Sequence, residues 1–583
     1  MSSFEASVEF SGRALVAGQA SGEIVHCDTP LSFWGGVDSE TGQIIDQHHP
    51  LSGKTLAGKI LVIPGGRGSS SGSSVILELI LNGNNPSALI FGREEGILTL
   101  GVIIADEMFG KSIPVIRLDP QEFKALAQFK YADISGNRVT CGMQTRELER
   151  PIKSPRSGEA SDSLLELSES DLQLLDGANG PACKLAMKVV CRVAELYGAT
   201  RFVDVTRAHI DGCVYTGPGG LEFARQLKEM GARVAIPTTL NAISIDRKRW
   251  RDQGVDPIFA DAAGELAETY VQMGCEPTFT CAPYLLDNPP REGEQIVWAE
   301  SNAVVFANSV LGARSLKYPD FLDICIAITG RAPYSGCHVR ENRHAGIVID
   351  VKGLDGIDDA FFPLLGYQAG KLAGNKIPLL TGLESFEICT DDLKAFGAAF
   401  ATTSSAPMFH IQGVTPEADM VSEAIRGRSD FDMVAIVVSD LINIWQELNS
   451  ASQNPVDMIS LGNPHFSLSE CTRLRDLCRG RVRHDQVRLI VTCSGAIFDE
   501  AQRQGMIDEL ERFGAEFVTD TCWCMISDPL IPPDAKTLMT NSAKYAHYGP
   551  GLTGRKFRFG SLSMCVEAAC SGSAQSRFPP WLA

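Results

Sequence analysis

The chain has 583 residues, a formal net charge of -19, and 44% hydrophobic and 21% charged residues. This composition is typical of a globular protein of several domains, and the acidic balance argues against a nucleic-acid partner, because phosphate binding needs a basic surface. The 17 cysteines are spread without the dense spacing of a secreted scaffold, so we expect a reducing compartment, the cytoplasm.

No segment indicates a membrane. The N-terminus, Met1–Ala6, has neither a basic stretch nor an apolar stretch, and the longest uncharged run, 395–416, contains Gly, Pro, His and several Ser and Thr. We therefore expect neither a signal peptide nor a membrane span.

Residues 1–145 are interpreted as a compact β-rich domain that contains a strand, a loop and a helix in succession. The strand Gly58–Pro64 leads through the glycine- and serine-rich loop Gly65–Ser74 into the helix Val75–Leu81. Glycines let the backbone approach a ligand closely, and a helix N-terminus offers free N–H groups to an anion. Arg67 could add a bidentate contact. The alternative is a flexible turn with capping serines.

Residues 146–163 are polar and contain proline, which is typical of a linker, so we place the main domain boundary there. The remainder, 164–583, alternates helices with short apolar strands and is predicted to form α/β layers. Its predicted strands include Arg201–Val205, Arg233–Pro237, Leu322–Thr329, Ile347–Val351 and a buried strand over Asp432–Val438.

Polar residues and a cysteine stand out along this larger region. His209 and Asp211 follow a strand, where they form either a catalytic or binding pair or a structural one. Asn308 and Ser309 are embedded in an apolar helix and need partners, which are either structural or a substrate. Cys281 lies in an irregular, proline-bounded segment, so it is a candidate metal ligand.

The C-terminal part is predicted to be a βαβαβ run whose loops carry thiols, an amide and an imidazole. Asn463 and His465 follow one strand, Cys493 the next, and Cys522 and Cys524 the third. Ligands bind at the carboxyl ends of strands in an open α/β sheet. A Cys-x-Cys pair can direct both sulfurs at one soft metal or iron–sulfur cluster. The alternative is two buried structural thiols.

Several segments, in matching order, resemble those of one family, aconitase X, over nearly the whole chain. They are Ser32–Asp38, Gly66–Ser73, Ala208–Gly212, Thr280–Tyr284, Ala307–Gly312, Pro464–His465, Asp520–Cys522 and the segment around Cys565. The resemblance implies an aconitase-like multidomain α/β fold, with a small swivelling domain fused to a large part that holds the iron centre in the cleft against it.

The resemblance also implies a hydro-lyase activity and roles for particular residues. Ser69 matches the family's serine base, with Ser70 and Ser71 as neighbours that sequence does not exclude. The matching family cysteines are Cys281, Cys522 and Cys565, and Cys524 is an added candidate ligand. We expect electrostatic help to the base from Arg67 or Lys544, and substrate contacts from the remaining candidates: Gly68, Ser70, His209, Asn308, Ser309 and His465.

Two positions depart from the archaeal members that dehydrate mevalonate 5-phosphate. Those members have a cysteine before Pro-His and an aliphatic residue two positions after the Asp-Thr-Cys cysteine, whereas this chain has Asn463 and Cys524. This pattern is similar to that of the bacterial and fungal branch, which dehydrates cis-3-hydroxy-L-proline. It favours a [2Fe–2S] cluster or mononuclear iron over a [4Fe–4S] cluster.

The chemistry of that substrate suits these residues. In cis-3-hydroxy-L-proline the Cα hydrogen lies on the ring face opposite the hydroxyl, so a serine base and an iron Lewis acid would act from opposite sides. The enamine product, Δ2-pyrroline-2-carboxylate, would tautomerise to Δ1-pyrroline-2-carboxylate. The alternatives are dehydration of mevalonate 5-phosphate or another hydroxy acid, and an iron-responsive, cluster-bearing binding protein. The oligomeric state is not predicted.

Overall fold

The computed structural model describes residues 7–143, 164–353, 355–418, 424–425, 432–574 and 578–583. The strands in these ranges are β1 (Val8–Ser11), β2 (Arg13–Val16), β3 (Gln19–His26), β4 (Ile60–Ile63), β5 (Ala88–Phe91), β6 (Val115–Arg117), β7 (Tyr131–Ser135), β8 (Arg138–Gly142), β9 (Phe202–Asp204), β10 (Ala208–Ile210), β11 (Thr238–Leu240), β12 (Val297–Trp298), β13 (Arg331–Pro333), β14 (Ile347–Val351), β15 (Pro378–Thr381), β16 (His410–Ile411), β17 (Asp432–Ile436), β18 (Met458–Leu461), β19 (Arg488–Cys493), β20 (Ala515–Thr519), β21 (Thr537–Thr540) and β22 (Lys556–Phe559).

The α-helices in the same ranges are α1 (Gly72–Asn82), α2 (Ile97–Phe109), α3 (Pro120–Ala125), α4 (Glu169–Asp176), α5 (Pro181–Leu196), α6 (Pro218–Glu229), α7 (Pro257–Gln272), α8 (Ser301–Ser309), α9 (Leu322–Thr329), α10 (Phe361–Ala373), α11 (Thr390–Thr403), α12 (Val438–Leu448), α13 (Leu468–Cys478), α14 (Gly495–Arg503), α15 (Met506–Phe513), α16 (Ala543–Thr553) and α17 (Leu562–Ser571). Across the described ranges, no helix combines the length and the apolar character needed to cross a bilayer.

The chain divides into two compact units, the first made of Met1–Asp204, Thr216–Ala235 and Tyr318–Ser335. Its main feature is an eight-stranded sheet in the order β1-β8-β7-β3-β4-β5-β6-β2. Strands β3 to β6 run parallel, while the others join antiparallel at the two sides. All residues of β4 and β5 are buried, which explains their unbroken apolar sequences, because strands covered on both faces do not alternate.

The second unit contains Val205–Tyr215, Ile236–Lys317 and Gly336–Ala583. It carries a three-stranded sheet (β11-β10-β12), a four-stranded sheet (β16-β15-β14-β17) and a five-stranded sheet (β20-β19-β18-β21-β22). Within each of these sheets the paired strands run parallel. In the five-stranded sheet the strand order reverses at β18, which creates a crevice at the carboxyl ends of the strands.

The predicted α/β class is therefore confirmed, including the C-terminal βαβαβ run, but three predicted strands need correction. Residues 322–329 form helix α9, because a continuous buried apolar run suits a core helix as well as a strand. The strand predicted at Arg233–Pro237 lies further along the chain, where it begins at Thr238. Strand β17 is mostly exposed rather than buried, because it pairs only with β14 at the sheet edge.

The domain boundaries at 145 and 164 stay a prediction. The predicted linker, 146–163, lies outside the described residues, which omit 144–163.

In the first unit, a carboxylate on α1 caps helix α6. Glu78 is 4% exposed, and its Oε1 accepts hydrogen bonds from the N–H groups of Gly219 (2.7 Å) and Gly220 (3.1 Å). Pro218 occupies the first position of α6, so Glu78 satisfies the next two N–H groups, which have no partner inside the helix.

We expect Glu78→Ala to lower the free energy of unfolding by about 1–3 kcal/mol, because two buried donors lose their acceptor. Glu78→Gln retains an acceptor oxygen and should cost less. Hydrogen exchange at the Gly219 and Gly220 amides, together with urea denaturation, measures both effects. Glu229→Ala, at an exposed position of the same helix, is the matched control. Unchanged exchange in Glu78→Ala would contradict the cap.

Candidate active site

The serine loop of the first unit, Ser69–Ser71, lies between β4 and α1 and is buried. Ser69, Ser70 and Ser71 are 6%, 0% and 2% exposed. The hydroxyls of Ser69 and Ser71 lie 3.1 Å apart, and the Ser71 N–H donates to Ser69 Oγ at 3.4 Å. Ser71 is the N-cap residue of α1, so the Ser69 hydroxyl lies where helix N–H groups favour negative charge.

Arg67 and Gly68 shape the approach to this loop. Arg67 donates from Nη2 to Asp46 Oδ2 (2.7 Å) and from Nε to the carbonyl of Pro30 (2.9 Å). The Asp46 side chain is 1% exposed, so this buried ion pair holds the loop in place. Gly68 has a φ of 77°, a left-handed conformation that favours glycine.

In the second unit, the loop after β20 carries Cys522 and Cys524. Asp520 has a φ of 63°, a left-handed conformation that aspartate adopts more readily than most residues. Its Oδ1 accepts from the N–H of Gly495 at 2.7 Å. The next residues pair with a neighbouring segment, since the Cys522 N–H donates to the carbonyl of Ile243 at 2.9 Å. The turn therefore directs both thiols into the interior.

Cys522 and Cys524 interact through a hydrogen bond between their thiols. This bond raises the pKa of Cys522 well above its ordinary value and lowers the pKa of Cys524, whose thiolate also benefits from the Lys544 ammonium. Cys524 is thus the first of the pair to lose its proton. Burial raises the pKa of the nearby Cys281 thiol to about 12, so Cys281 stays protonated in the metal-free protein.

Lys544 places a positive charge among these sulfurs. Its Nζ lies 3.0 Å from Glu300 Oε1, with both side chains under a tenth exposed, at 8% and 6%. Burial alone would lower the pKa of Lys544, but Glu300 and the sulfurs of Cys281, Cys522 and Cys524 raise it above its ordinary value. The ammonium therefore stabilises negative charge on the thiols.

His465 contacts the same cluster from the loop after β18. Its backbone N–H donates to Cys281 Sγ at 3.2 Å, and its Nε2 donates to the carbonyl of Thr521 at 2.9 Å. A carbonyl can only accept, so the proton lies on Nε2 and Nδ1 carries a lone pair; Nδ1 has no partner among the described residues. Burial lowers the pKa of His465 to about 4, which keeps the ring neutral.

His209 belongs to the three-stranded sheet of this unit. Its Nδ1 lies 2.8 Å from Thr239 Oγ1, and its ring packs 5.9 Å from that of Trp298. Burial lowers its pKa to about 3, so this ring is neutral as well. Among the described residues, His209 makes no hydrogen bond to any of the cysteines.

Asn308 and Ser309 have partners within the protein. Asn308 donates to the carbonyls of Ser315 (2.9 Å) and Pro407 (3.0 Å) and accepts from the Ser315 N–H at 2.9 Å. Ser309 Oγ accepts from the Phe409 N–H at 2.9 Å. These bonds are sufficient to explain why polar side chains occur inside the apolar helix α8.

Cys565 lies apart from the three clustered thiols. It is fully buried on α17, in an apolar core with Leu562, Val566 and Phe466. Burial raises its pKa well above the ordinary thiol value. The structure thus brings together Cys281, Cys522 and Cys524, but not Cys565, among the described residues.

Two residues of the cluster were not predicted from the sequence. Glu300 pairs with Lys544 and caps α8 by accepting from the Ala303 N–H at 2.8 Å. Tyr545 directly follows Lys544 in sequence, and its buried hydroxyl has no partner among the described residues. Burial raises the pKa of Tyr545, and the two thiols of the Cys-x-Cys pair raise it further. Its position directly after Lys544 was the available signal.

The donor atoms suit a soft metal or an iron–sulfur cluster. Three thiols and a neutral imidazole with a lone pair surround a buried ammonium, and thiolates are the preferred ligands of iron–sulfur clusters. In the described ranges, no three His, Cys, Asp or Glu side chains are grouped closely enough to hold a metal ion. A metal would need the thiols in their deprotonated form.

Four family models match successive parts of the chain. They describe the aconitase X swivel domain at residues 9–142, the first domain at 164–341, the second at 345–446 and the third at 456–571. The chain belongs to the aconitase X family. This confirms the resemblance inferred from its motifs, and family membership implies an iron or iron–sulfur cofactor in general.

Two curated relatives and one solved structure are similar to nearly all or most of the chain. A cis-3-hydroxy-L-proline dehydratase of Hypocrea jecorina is 53% identical, covering 98% of this chain and 97% of the relative. A protein of the same name from Pseudomonas aeruginosa is 52% identical and covers 98% of each. The crystal structure of Thermococcus kodakaraensis aconitase X (holo-form) has a TM-score of 0.63 at 33% identity, covering 70% of this chain and 100% of that one.

The Lys544–Glu300 pair predicts a specific stability pattern. In iron-free protein, we expect Glu300→Gln to lower the free energy of unfolding by about 3–5 kcal/mol, because it leaves a buried ammonium without its carboxylate. The double variant Glu300→Gln/Lys544→Met should recover much of that loss, since neither charge remains. Urea denaturation of the single and double variants measures the interaction; additive losses would contradict a paired burial.

Proposed function

We propose that the protein is a hydro-lyase that dehydrates cis-3-hydroxy-L-proline to Δ2-pyrroline-2-carboxylate, which then tautomerises to Δ1-pyrroline-2-carboxylate. The observation that carries the proposal is a sequence identity of 53% and 52%, over nearly the full length, to two proteins named for this activity. The family resemblance implies the same activity, because Asn463 and Cys524 depart from the pattern of the archaeal members that dehydrate mevalonate 5-phosphate.

We assign proton abstraction to Ser69. Its Oγ would accept the Cα proton of the substrate, on the ring face opposite the departing hydroxyl. A serine hydroxyl is a weak base, so its alkoxide needs stabilisation. The Ser71 N–H already donates to this oxygen, and the Ser71 hydroxyl lies 3.1 Å away, so both can hold negative charge there.

The ties of Arg67 suggest that it acts through the loop. Its Asp46 and Pro30 contacts hold the backbone before Ser69, which keeps the base in place. Gly68 and Ser70 offer backbone groups to the substrate carboxylate in this proposal. Substrate contacts by His209, Asn308, Ser309 and His465 stay predictions, and the internal bonds of Asn308 and Ser309 favour a structural role for these two.

We propose that Cys281, Cys522 and Cys524 hold the iron centre, with [2Fe–2S] preferred to mononuclear iron. When bound, such a centre supplies a Lewis acid for the hydroxyl that leaves. Lys544 balances the negative charge of the thiolates, and Glu300 in turn orients Lys544. Tyr545 and the His465 Nδ1 offer a donor and a lone pair beside the cluster. Cys565 stays a predicted ligand that the structure does not group with the others.

The proposal implies a small-molecule partner and a reducing compartment. The substrate is a hydroxy amino acid, and all 17 cysteines are free, as expected of a cytoplasmic protein. The absence of nucleic-acid and membrane partners stays a prediction.

Turnover of cis-3-hydroxy-L-proline by anaerobically purified, iron-loaded protein tests the function, with pyrroline-2-carboxylate as the measured product. We expect turnover of the cis-3 isomer and none of the trans-3 or trans-4 isomers. Only in the cis-3 isomer do the Cα hydrogen and a hydroxyl on C3 lie on opposite faces of the ring. Dehydration of mevalonate 5-phosphate instead would overturn the substrate assignment while leaving the family intact.

We expect Ser69→Ala to lower kcat by about 10²–10⁴, the usual contribution of a general base. Ser71→Ala should have a smaller effect, because it removes a neighbour that stabilises the alkoxide rather than the base. Steady-state kinetics measure both, with iron content checked in each variant. If Ser70→Ala or Ser71→Ala abolished turnover while Ser69→Ala did not, the base would have to be reassigned.

Cysteine variants test the iron centre directly. We expect Cys281→Ser, Cys522→Ser and Cys524→Ser each to lower bound iron and acid-labile sulfide strongly. Cys493→Ser, at another buried thiol, should retain both. A [2Fe–2S] cluster predicts about two iron atoms and two sulfides per chain. Iron without sulfide would indicate a mononuclear centre. Loss of iron in Cys565→Ser, but not in Cys281→Ser, would contradict the ligand set.

A further inference from the structure

A separate cavity of about 210 Å³ lies in the second unit, on the side of β21 and β22 that faces α12 and α17. That volume corresponds to about seven water molecules, which is the size of a small metabolite rather than a large cofactor. None of its lining residues belongs to the cysteine cluster. They are Trp445, Gln446, Asn449, Met539, Arg558, Phe559, Met564, Ala574 and Phe578.

Arg558 is the cation of this cavity. It is 7% exposed, and its Nη2 donates to the carbonyl of Gln453 at 3.0 Å, while its Nε has no partner among the described residues. Among the described residues, no carboxylate forms an ion pair with Arg558. Burial lowers the pKa of Arg558, and no neighbouring charge opposes this shift. The guanidinium therefore carries a positive charge and an N–H group that no described residue matches, so an anion in the cavity would be favoured.

The rest of the lining is apolar or already bonded. The Trp445 ring packs 5.5 Å from Phe559 and 6.4 Å from Phe578, so aromatic faces form much of the wall. Asn449 uses its amide internally, donating to the Trp445 carbonyl (2.8 Å) and accepting from the Phe559 N–H (3.1 Å). Among the described residues, no acidic side chain lines the cavity, so none of them would pair with an ammonium group.

We propose that this cavity is a binding site for a small monocarboxylate with an apolar, ring-sized body and no cationic group. The carboxylate would accept hydrogen bonds from Arg558, including its unpaired Nε–H, and the body would contact the Trp445, Phe559 and Phe578 rings. A guanidinium and a carboxylate form charge-assisted bonds of matched geometry, and aromatic walls contribute apolar contact. The lack of an acid in the lining excludes zwitterionic amino acids from this class.

Binding of 4-fluorobenzoate to the iron-loaded, full-length protein tests the proposal by ¹⁹F NMR. We expect saturable binding of 4-fluorobenzoate, and binding at least about tenfold weaker for 4-fluorobenzyl alcohol and 4-fluorobenzylamine, because a charge-assisted bond is worth at least one order of magnitude. Arg558→Gln should weaken 4-fluorobenzoate binding by a similar factor. Arg503→Gln, which removes an exposed arginine, is the matched control and should bind as the wild type does.

The contrary outcomes are equally specific. Equal affinity for the three probes, unchanged 4-fluorobenzoate binding in Arg558→Gln, or no binding at tens of millimolar would each overturn the proposal. The comparison of charged and neutral probes uses wild-type protein. It therefore tests whether the cavity requires a carboxylate even if Arg558→Gln does not fold. Excess cis-3-hydroxy-L-proline should not displace the probe, and displacement would assign the signal to another site.

Discussion

The cysteine cluster depends on one buried positive charge. Lys544 lies in the interior of its unit, where an unpaired ammonium would be strongly destabilising. The Glu300 carboxylate pairs with it at 3.0 Å, and the thiols add further negative charge when they ionise. Because the same carboxylate caps α8, the charge pair and the helix stabilise each other. Iron binding would turn the cluster thiols into thiolates, so the ammonium that is costly alone becomes favourable with the cofactor.

Strand topology explains why these particular loops meet. In the five-stranded sheet, β18 lies between β19 and β21, and all neighbours are parallel. The loops that follow these strands therefore leave the sheet at one edge. His465, Cys522 and Lys544 come from the loops or helices after β18, β20 and β21. The sheet thereby brings together residues that are 22, 57 and 79 positions apart in the chain, and no local sequence pattern marks their contact.

Loops after apolar strands were therefore predictable, and their long-range partners were not. The sequence indicated the Cys-x-Cys pair, the Pro-His loop and the serine loop, because each follows a strand with a clear apolar pattern. It did not reveal Glu300 as the partner of Lys544, since the two belong to different helices and meet only in the folded chain.

The same limit explains two other results. Asn308 was a candidate for substrate contact because it is polar within an apolar helix, yet its partners, Ser315 and Pro407, come from other segments. The run at 322–329 was interpreted as a strand because burial on every side removes the periodicity that separates helix from strand. Composition alone could not distinguish the two, and the tertiary environment decided.

The two positions at which this chain departs from the archaeal pattern, Asn463 and Cys524, lie next to each other in the structure. Asn463 Nδ2 lies 3.6 Å from Cys524 Sγ, so the residues that replace the archaeal cysteine and aliphatic side chain are neighbours across the crevice. A thiol is absent from the loop after β18 and present in the loop after β20, which keeps a sulfur in the same neighbourhood. The amide adds a hydrogen bond to that sulfur and helps the Lys544 ammonium lower the pKa of Cys524.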